Sequence, residues 1–235
     1  MKIAIMQPYI FPYIGYFQMI NAVDKFVFYD DVNFIKQGWI NRNKILVSGQ
    51  EHLFTVPLSK ATSFKLIKDT MINEKLFDAW KIRFLQTLSQ SYRRAPYFNV
   101  VYELVSVILS QPHTSISELA IASIKSVSHY MDLKTQFIIS SQTYQNGELE
   151  RQERLFDICR KENCFHYINA LGGQKLYKKE DFQAQGIHLD FIKSSPLEYN
   201  QLNKQFIPYL SVIDLLMFNN PDDINCLITK YELIN

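Results

Sequence analysis

Glycine is scarce in this chain, with seven residues in 235, under half the usual frequency of roughly 7%. Gly-rich linkers, collagen-like repeats and low-complexity tracts are thereby excluded. Cysteine is scarcer still. Cys159, Cys164 and Cys226 form an odd set without a Cys-x-x-Cys pair, which argues against a disulfide framework and a thiolate zinc site. An excess of either charge is missing too, since 25 basic residues meet 23 acidic ones for a net +2. Neither a nucleic-acid footprint nor an acidic solvating shell is expected from that balance. No stretch approaches the ~18 consecutive apolar residues of a membrane span. The opening Met-Lys-Ile-Ala-Ile-Met run stops at Gln7-Pro8 and reads as a strand rather than a signal peptide. These absences point to a cytoplasmic globular protein with no nucleic-acid partner and no membrane insertion.

What the chain has instead is apolar and aromatic mass. Apolar residues make up 47% and charged residues 20%, a balance that excludes disorder. Period and punctuation then sort the elements. Lys2 to Met6 and Lys25 to Tyr29 read as buried strands, with a helix over Ile14 to Ala22 between them. Ile45 to Val47 and Leu53 to Val56 flank Ser-Gly-Gln-Glu as a hairpin. From 73 to 131 the period turns helical, carried by Phe77, Trp80, Phe84 and Leu88, then Val101, Val105 and Ile108, then Leu119, Ile124, Val127 and Met131. Ser115-x-x-Glu118 is a capping box for the third helix. Alternation follows, with strands at Gln136–Ile139, Phe165–Ile168 and Ile187–Ile192, and helices at Glu148–Glu162 and Lys179–Gln185. Ser211–Phe218 and Ile224–Tyr231 read as closing helices. The pattern predicts an α/β fold: a Rossmann-like, mostly parallel sheet in a single domain over 1–235, with the helical block at 73–131 inserted into it.

Candidate chemistry gathers in the loops that follow strands, where ligands bind open parallel sheets. The first of these, Gln7 to Gln18, belongs to a 40-residue opening that holds ten of the 33 aromatics. Gln7, Tyr9, Gly15 and Tyr16 are candidate nucleotide or substrate contacts there, and Tyr13 a catalytic one. A helix starting near Ile14 would aim free amides at a phosphate. A second cluster follows the second strand. Asp30 and Asp31 are candidate catalytic carboxylates, and Lys36, Trp39, Asn41, Arg42 and Asn43 offer cations, amides and an aromatic face to a nucleotide sugar. Gly172-Gly173 after the third strand could bring backbone amides to a phosphate, although a plain tight turn explains it nearly as well. Ser211 is a candidate contact and, with Asp214, equally a helix cap. Glu148 to Arg154 reads as a solvated helix face, and Ser140-Ser141 as a possible contact. His52, His113, His129, His166 and His188 are scattered without ligand spacing, so no metal is expected.

Met6 to Gln18 (Met-Gln-Pro-Tyr-Ile-Phe-Pro-Tyr-Ile-Gly-Tyr-Phe-Gln) resembles the opening signature of the WbqC-like proteins. Ala22–Val32, Gly38–Asn43, Tyr167–Gly173 with Tyr177, Gly186-Ile187 and Phe206–Leu216 resemble it as well, across essentially the whole chain. The resemblance implies a place in gene clusters for O-antigen and other surface polysaccharides. A fainter architectural likeness is to the nucleotidylyltransferase superfamily, in which a His-x-Gly-His motif stands where this chain has Tyr13-Ile14-Gly15-Tyr16. A tyrosine can donate to a phosphate but brings no positive charge near neutral pH.

The combined expectation is a transferase of surface-polysaccharide biosynthesis that moves an acyl or aminoacyl group onto a nucleotide-linked amino sugar. It would need no cofactor beyond that donor. Two alternatives stand beside it: an ATP-using ligase or nucleotidyltransferase-like enzyme, and a non-catalytic nucleotide-sugar-binding protein.

Overall fold

The computed structural model describes residues 1–202 and 205–234. The chain opens with β1 (Lys2–Met6), α1 (Ile14–Asn21) and β2 (Lys25–Phe28), followed by the hairpin β3 (Arg42–Val47) and β4 (Gln50–Thr55). Three helices come next: α2 (Glu74–Tyr92), α3 (Phe98–Ser110) and α4 (Ile116–Tyr130). Alternation resumes with β5 (Gln136–Ile138), α5 (Arg151–Lys161), β6 (His166–Ala170), α6 (Lys179–Ala184) and β7 (His188–Ser194). The described chain closes with α7 (Val212–Phe218), α8 (Pro221–Ile228) and β8 (Tyr231–Ile234).

Six strands form one sheet in the order β5-β2-β1-β6-β7-β8, parallel except for β8 at the edge. Counted in chain order within the sheet, this is the 3-2-1-4-5-6 arrangement of doubly wound folds. The topology reverses between β1 and β6, which pair through Lys2–His166 and Ile3–Tyr167. Ligand crevices of such sheets open at that reversal, beyond the strand C-termini. The loops after β1 and β6 therefore flank the crevice position.

Alternation along the strands divides the core in two. Ala4, Phe26, Phe28, Ile168 and Ile192 face α1, α7 and α8 and share one apolar cluster with the three-helix block. Ile3, Ile5, Val27, Tyr167, Leu189 and Phe191 face α5 and α6 on the other side. Each buried phenylalanine here contributes ~1.5–3 kcal/mol by leaving water. Within the block, Trp80 stacks between Phe77 and Phe84 with centroids 5.5 and 5.3 Å away, and Phe84 meets Phe54 of the hairpin at 4.6 Å. The Ser115–Glu118 capping box forms in both directions.

The chain's end departs from expectation. The last helix starts earlier, at Pro221, because Asn220 caps it by accepting from the Asp223 amide at 2.8 Å and proline suits the first helical position. It stops at Ile228, and Tyr231–Ile234 turns back as an antiparallel strand on β7.

Candidate functional site

The loop from β1 to α1 is built around its own aromatics. Tyr16, fully buried on α1, donates its hydroxyl to the Gln7 carbonyl at 2.8 Å and tilts against Tyr9 at 5.8 Å. Tyr13 caps α1 in an extended conformation, is 40% exposed, and bonds Ser194 through its hydroxyl. Its ring lies over Gly15, where a β-carbon would stand 2.3 Å from a ring carbon, so any larger residue would have to displace the ring. Burial raises the pKa of Tyr9, Tyr13 and Tyr16, so all three remain protonated donors at neutral pH. Helix α1 has no side-chain cap and no acidic residue in its first turn. Its free amides and positive dipole end therefore suit an anion.

Beyond β2 the strand alternation sends two adjacent carboxylates to opposite faces. Asp30 follows Phe26 and Phe28 toward the three-helix block. It accepts hydroxyl bonds from Ser140 at 2.6 Å and from Ser117 of α4 at 3.0 Å, and it is 4% exposed. Burial is the main force on its pKa and raises it above the ordinary aspartate value, against the two hydroxyl bonds. Asp31 turns toward α5. Arg154 reaches both of its oxygens at 2.7 Å, and Ser141 donates to one of them. The guanidinium lies 4.8 Å from the Tyr29 ring and donates to Asn146, which in turn donates to Asp157. Burial pushes the Tyr29 hydroxyl up to about 12, with Arg154 acting in the opposite sense. Tyr177 and the exposed Arg151 at the start of α5 lie within electrostatic reach of this cluster.

Several residues expected to contact ligand are engaged in the scaffold instead. Asn41 donates to the Val56 carbonyl at 3.0 Å, and Asn43 donates to the Phe11 carbonyl at 2.7 Å, both from buried positions. Asn41 closes the hairpin on itself and Asn43 ties it to the first loop, which explains the unbroken polar run between buried aromatics. Arg42 donates to the Gly38 and Gln37 carbonyls and stands 5.8 Å from the Trp39 ring. Ser211 is wholly buried, donates to the Phe11 carbonyl at 2.8 Å and caps α7. Lys36 and Trp39 are exposed on the loop after β2, which meets the first loop through the Ile10 amide and Ile40 carbonyl. Gly172 and Gly173 lie in a single 3-10 turn after β6. A β-carbon at Gly173 would stand 2.5 Å from the Asn169 amide nitrogen, whereas at Gly172 it would enter open space.

The structure thus gathers Gln7, Tyr9, Tyr13, Gly15, Tyr16, Asp30, Asp31, Gly172 and Gly173 at the carboxyl end of the parallel sheet. It corrects the reading of Glu148 to Arg154 as a solvated face, because Arg154 is 6% exposed and paired with Asp31. Ser117 and Arg154 were not signalled by any motif. Ser140 and Ser141 were visible only as a polar pair, and each binds one of the two aspartates. Asp214 makes no capping box: it accepts from Tyr92 at 2.8 Å, Tyr199 at 2.7 Å and Gln201 at 2.8 Å inside the core. Two cavities lie away from the sheet's carboxyl end. One of about 490 Å³ is lined by Phe165, Gln183, Ile187 and His188, and one of about 280 Å³ lies between β4 and α2. Among the described residues, no helix is long and apolar enough to cross a membrane.

Comparison with known proteins places this arrangement in context. The chain is 28% identical over 218 residues to the uncharacterized protein Rv1507c of Mycobacterium tuberculosis, an alignment covering 92% of each chain. No solved structure matches the chain. The sequence profile of the WbqC-like protein family matches residues 7–226, from the Gln7 carbonyl that Tyr16 holds to the α8 helix that closes the first core. With that span covering the crevice loops and both carboxylates, the chain belongs to the WbqC-like protein family.

Proposed function

We propose that the chain is a transferase of surface-polysaccharide assembly that binds a nucleotide-linked amino sugar at the reversal between β1 and β6. In this reading it moves an acyl or aminoacyl group onto the sugar amine. The observation that carries the proposal is the convergence, at the switch point of a 3-2-1-4-5-6 sheet, of an uncapped helix start, an aromatic loop and the Gly172-Gly173 turn. The association of the WbqC-like family with polysaccharide clusters supports the sugar class.

The roles follow from the chemistry of each group. The free amides of α1 and of the glycine turn take the diphosphate, with the exposed Arg151 supplying a cation. Tyr13, Tyr29 and Tyr177 offer ring faces and hydroxyls to the base or pyranose. The sugar amine arrives largely as an ammonium ion and must lose a proton before it attacks. Asp30, whose raised proton affinity comes from burial, is the base assigned here. The amine then forms the C–N bond to the carbonyl of an activated donor such as a thioester, the C–S bond breaks, and the proton leaves with the thiol. Asp31, locked on Arg154, positions the loop.

An ATP-using reaction is less well supported. Of the two tyrosines standing in place of the superfamily's histidines, Tyr16 is buried and bonded to Gln7. A thermal-shift screen with deoxysugar nucleotides, thioesters and ATP, followed by a turnover assay on Asp30→Asn, tests the assignment. Stabilisation by an amino-sugar nucleotide, with turnover lost and binding retained in the variant, is expected. Stabilisation by none of the three classes overturns the binding role, and unchanged turnover removes Asp30 as the base.

A further inference from the structure

At the opposite end of the sheet stands a cluster that the proposed transfer does not use. His166 and His188 open β6 and β7 and are direct register partners, with ring centroids 4.7 Å apart. Asp190 lies two residues farther along β7, hence on the same face as His188. Its carboxylate receives one imidazole on each oxygen: His166 Nε2 at 2.7 Å from Oδ2 and His188 Nε2 at 3.2 Å from Oδ1.

We propose that His166, His188 and Asp190 form a binding site for one divalent first-row transition-metal ion of the zinc class. All three donors lie within 4.8 Å of one another, so side-chain adjustment alone can place them around a common ion. Two imidazoles and a carboxylate are a donor set that such ions favour, and three protein ligands leave a position open to water. Burial is graded to match. The Asp190 side chain is 9% exposed and His166 22%, whereas His188 is 52% exposed. A half-exposed imidazole gains little from packing, yet its Nε2 is directed at the Asp190 oxygen that His166 leaves free. The 52% exposure of His188 gives an ion access from solvent. Bound there, the ion would clamp β6 to β7 at their amino ends, far along the strands from the crevice loops. The site therefore stands or falls independently of the proposed transferase.

The test uses the full chain, stripped with a chelator and dialysed, then titrated with zinc chloride by calorimetry and followed by thermal melting. About one ion per chain and a raised melting temperature are expected. His188→Ala, at an exposed strand start, should keep the wild-type circular dichroism spectrum and weaken zinc binding by at least ~10-fold. Asp190→Asn should weaken it likewise, and His52→Ala on the exposed hairpin should not. Cobalt(II) in place of zinc should give a spectrum without thiolate charge-transfer bands. Wild-type affinity in His188→Ala, no zinc-dependent shift in the wild type, or a thiolate band pointing to Cys159, Cys164 or Cys226 would each overturn the assignment.

Discussion

Asp30 and Asp31 are neighbours in sequence and differ in almost every physical respect. Strand alternation sends one to each face of the sheet. Asp30 is held by two neutral hydroxyls beside the helical block, while Asp31 is gripped on both oxygens by a guanidinium from α5. Burial without a cation raises the proton affinity of Asp30, whereas Arg154 gives the Asp31 carboxylate an ion-pair partner through Nη2. The pair shows how a single turn of strand supplies a titratable carboxylate and a permanent anchor side by side. Function is assigned to the first and architecture to the second.

The contrast breaks most sharply from the Arg154 side. Arg154→Met leaves Asp31 buried without its cation, and loss of ~3–5 kcal/mol in urea-unfolding stability is expected. A loss below about 1 kcal/mol would mean that the pair is effectively solvated. The Asp30 side should respond more weakly and with pH. A carboxyl whose pKa is raised by folding stabilises the native state below its unfolded value. That contribution is lost as pH rises through the folded value. Asn at position 30 is neutral throughout, so Asp30→Asn should cost more stability at about pH 4 than at about pH 7. Paired denaturation curves of wild type and variant check this, and a pH-independent difference would erase the distinction between the two aspartates.

Much of the architecture is legible in the sequence because it is local. The 3.6-residue period of Val101, Val105 and Ile108 and the box at Ser115–Glu118 reappear directly in α3 and α4. The β8 strand was not legible: four residues on an antiparallel edge, half of them exposed, carry no clean alternation. The site divides the same way. The first loop announces itself through density of aromatics, and its Gly15 is explained by the Tyr13 ring. Arg154 could not be read, since its partner is 123 positions away and its own stretch has the composition of a solvated helix. Nor could the histidine cluster, because the pairing of His166 with His188 is created by strand register rather than by spacing. Asn43 and Ser211 mislead for a related reason. Polar side chains beside a loop rich in free carbonyls hold that loop in place as readily as they would hold a ligand, and both donate to Phe11.

The central claim is that ligand binds where the topology reverses, and amide hydrogen exchange with and without an amino-deoxysugar nucleotide tests it most directly. Slowed exchange confined to 7–16, 29–31 and 169–177, the segments that flank β1, β2 and β6 at their carboxyl ends, is the predicted result. Unchanged exchange in those segments, or protection centred instead on 183–189 beside the cavity at His188, would contradict it.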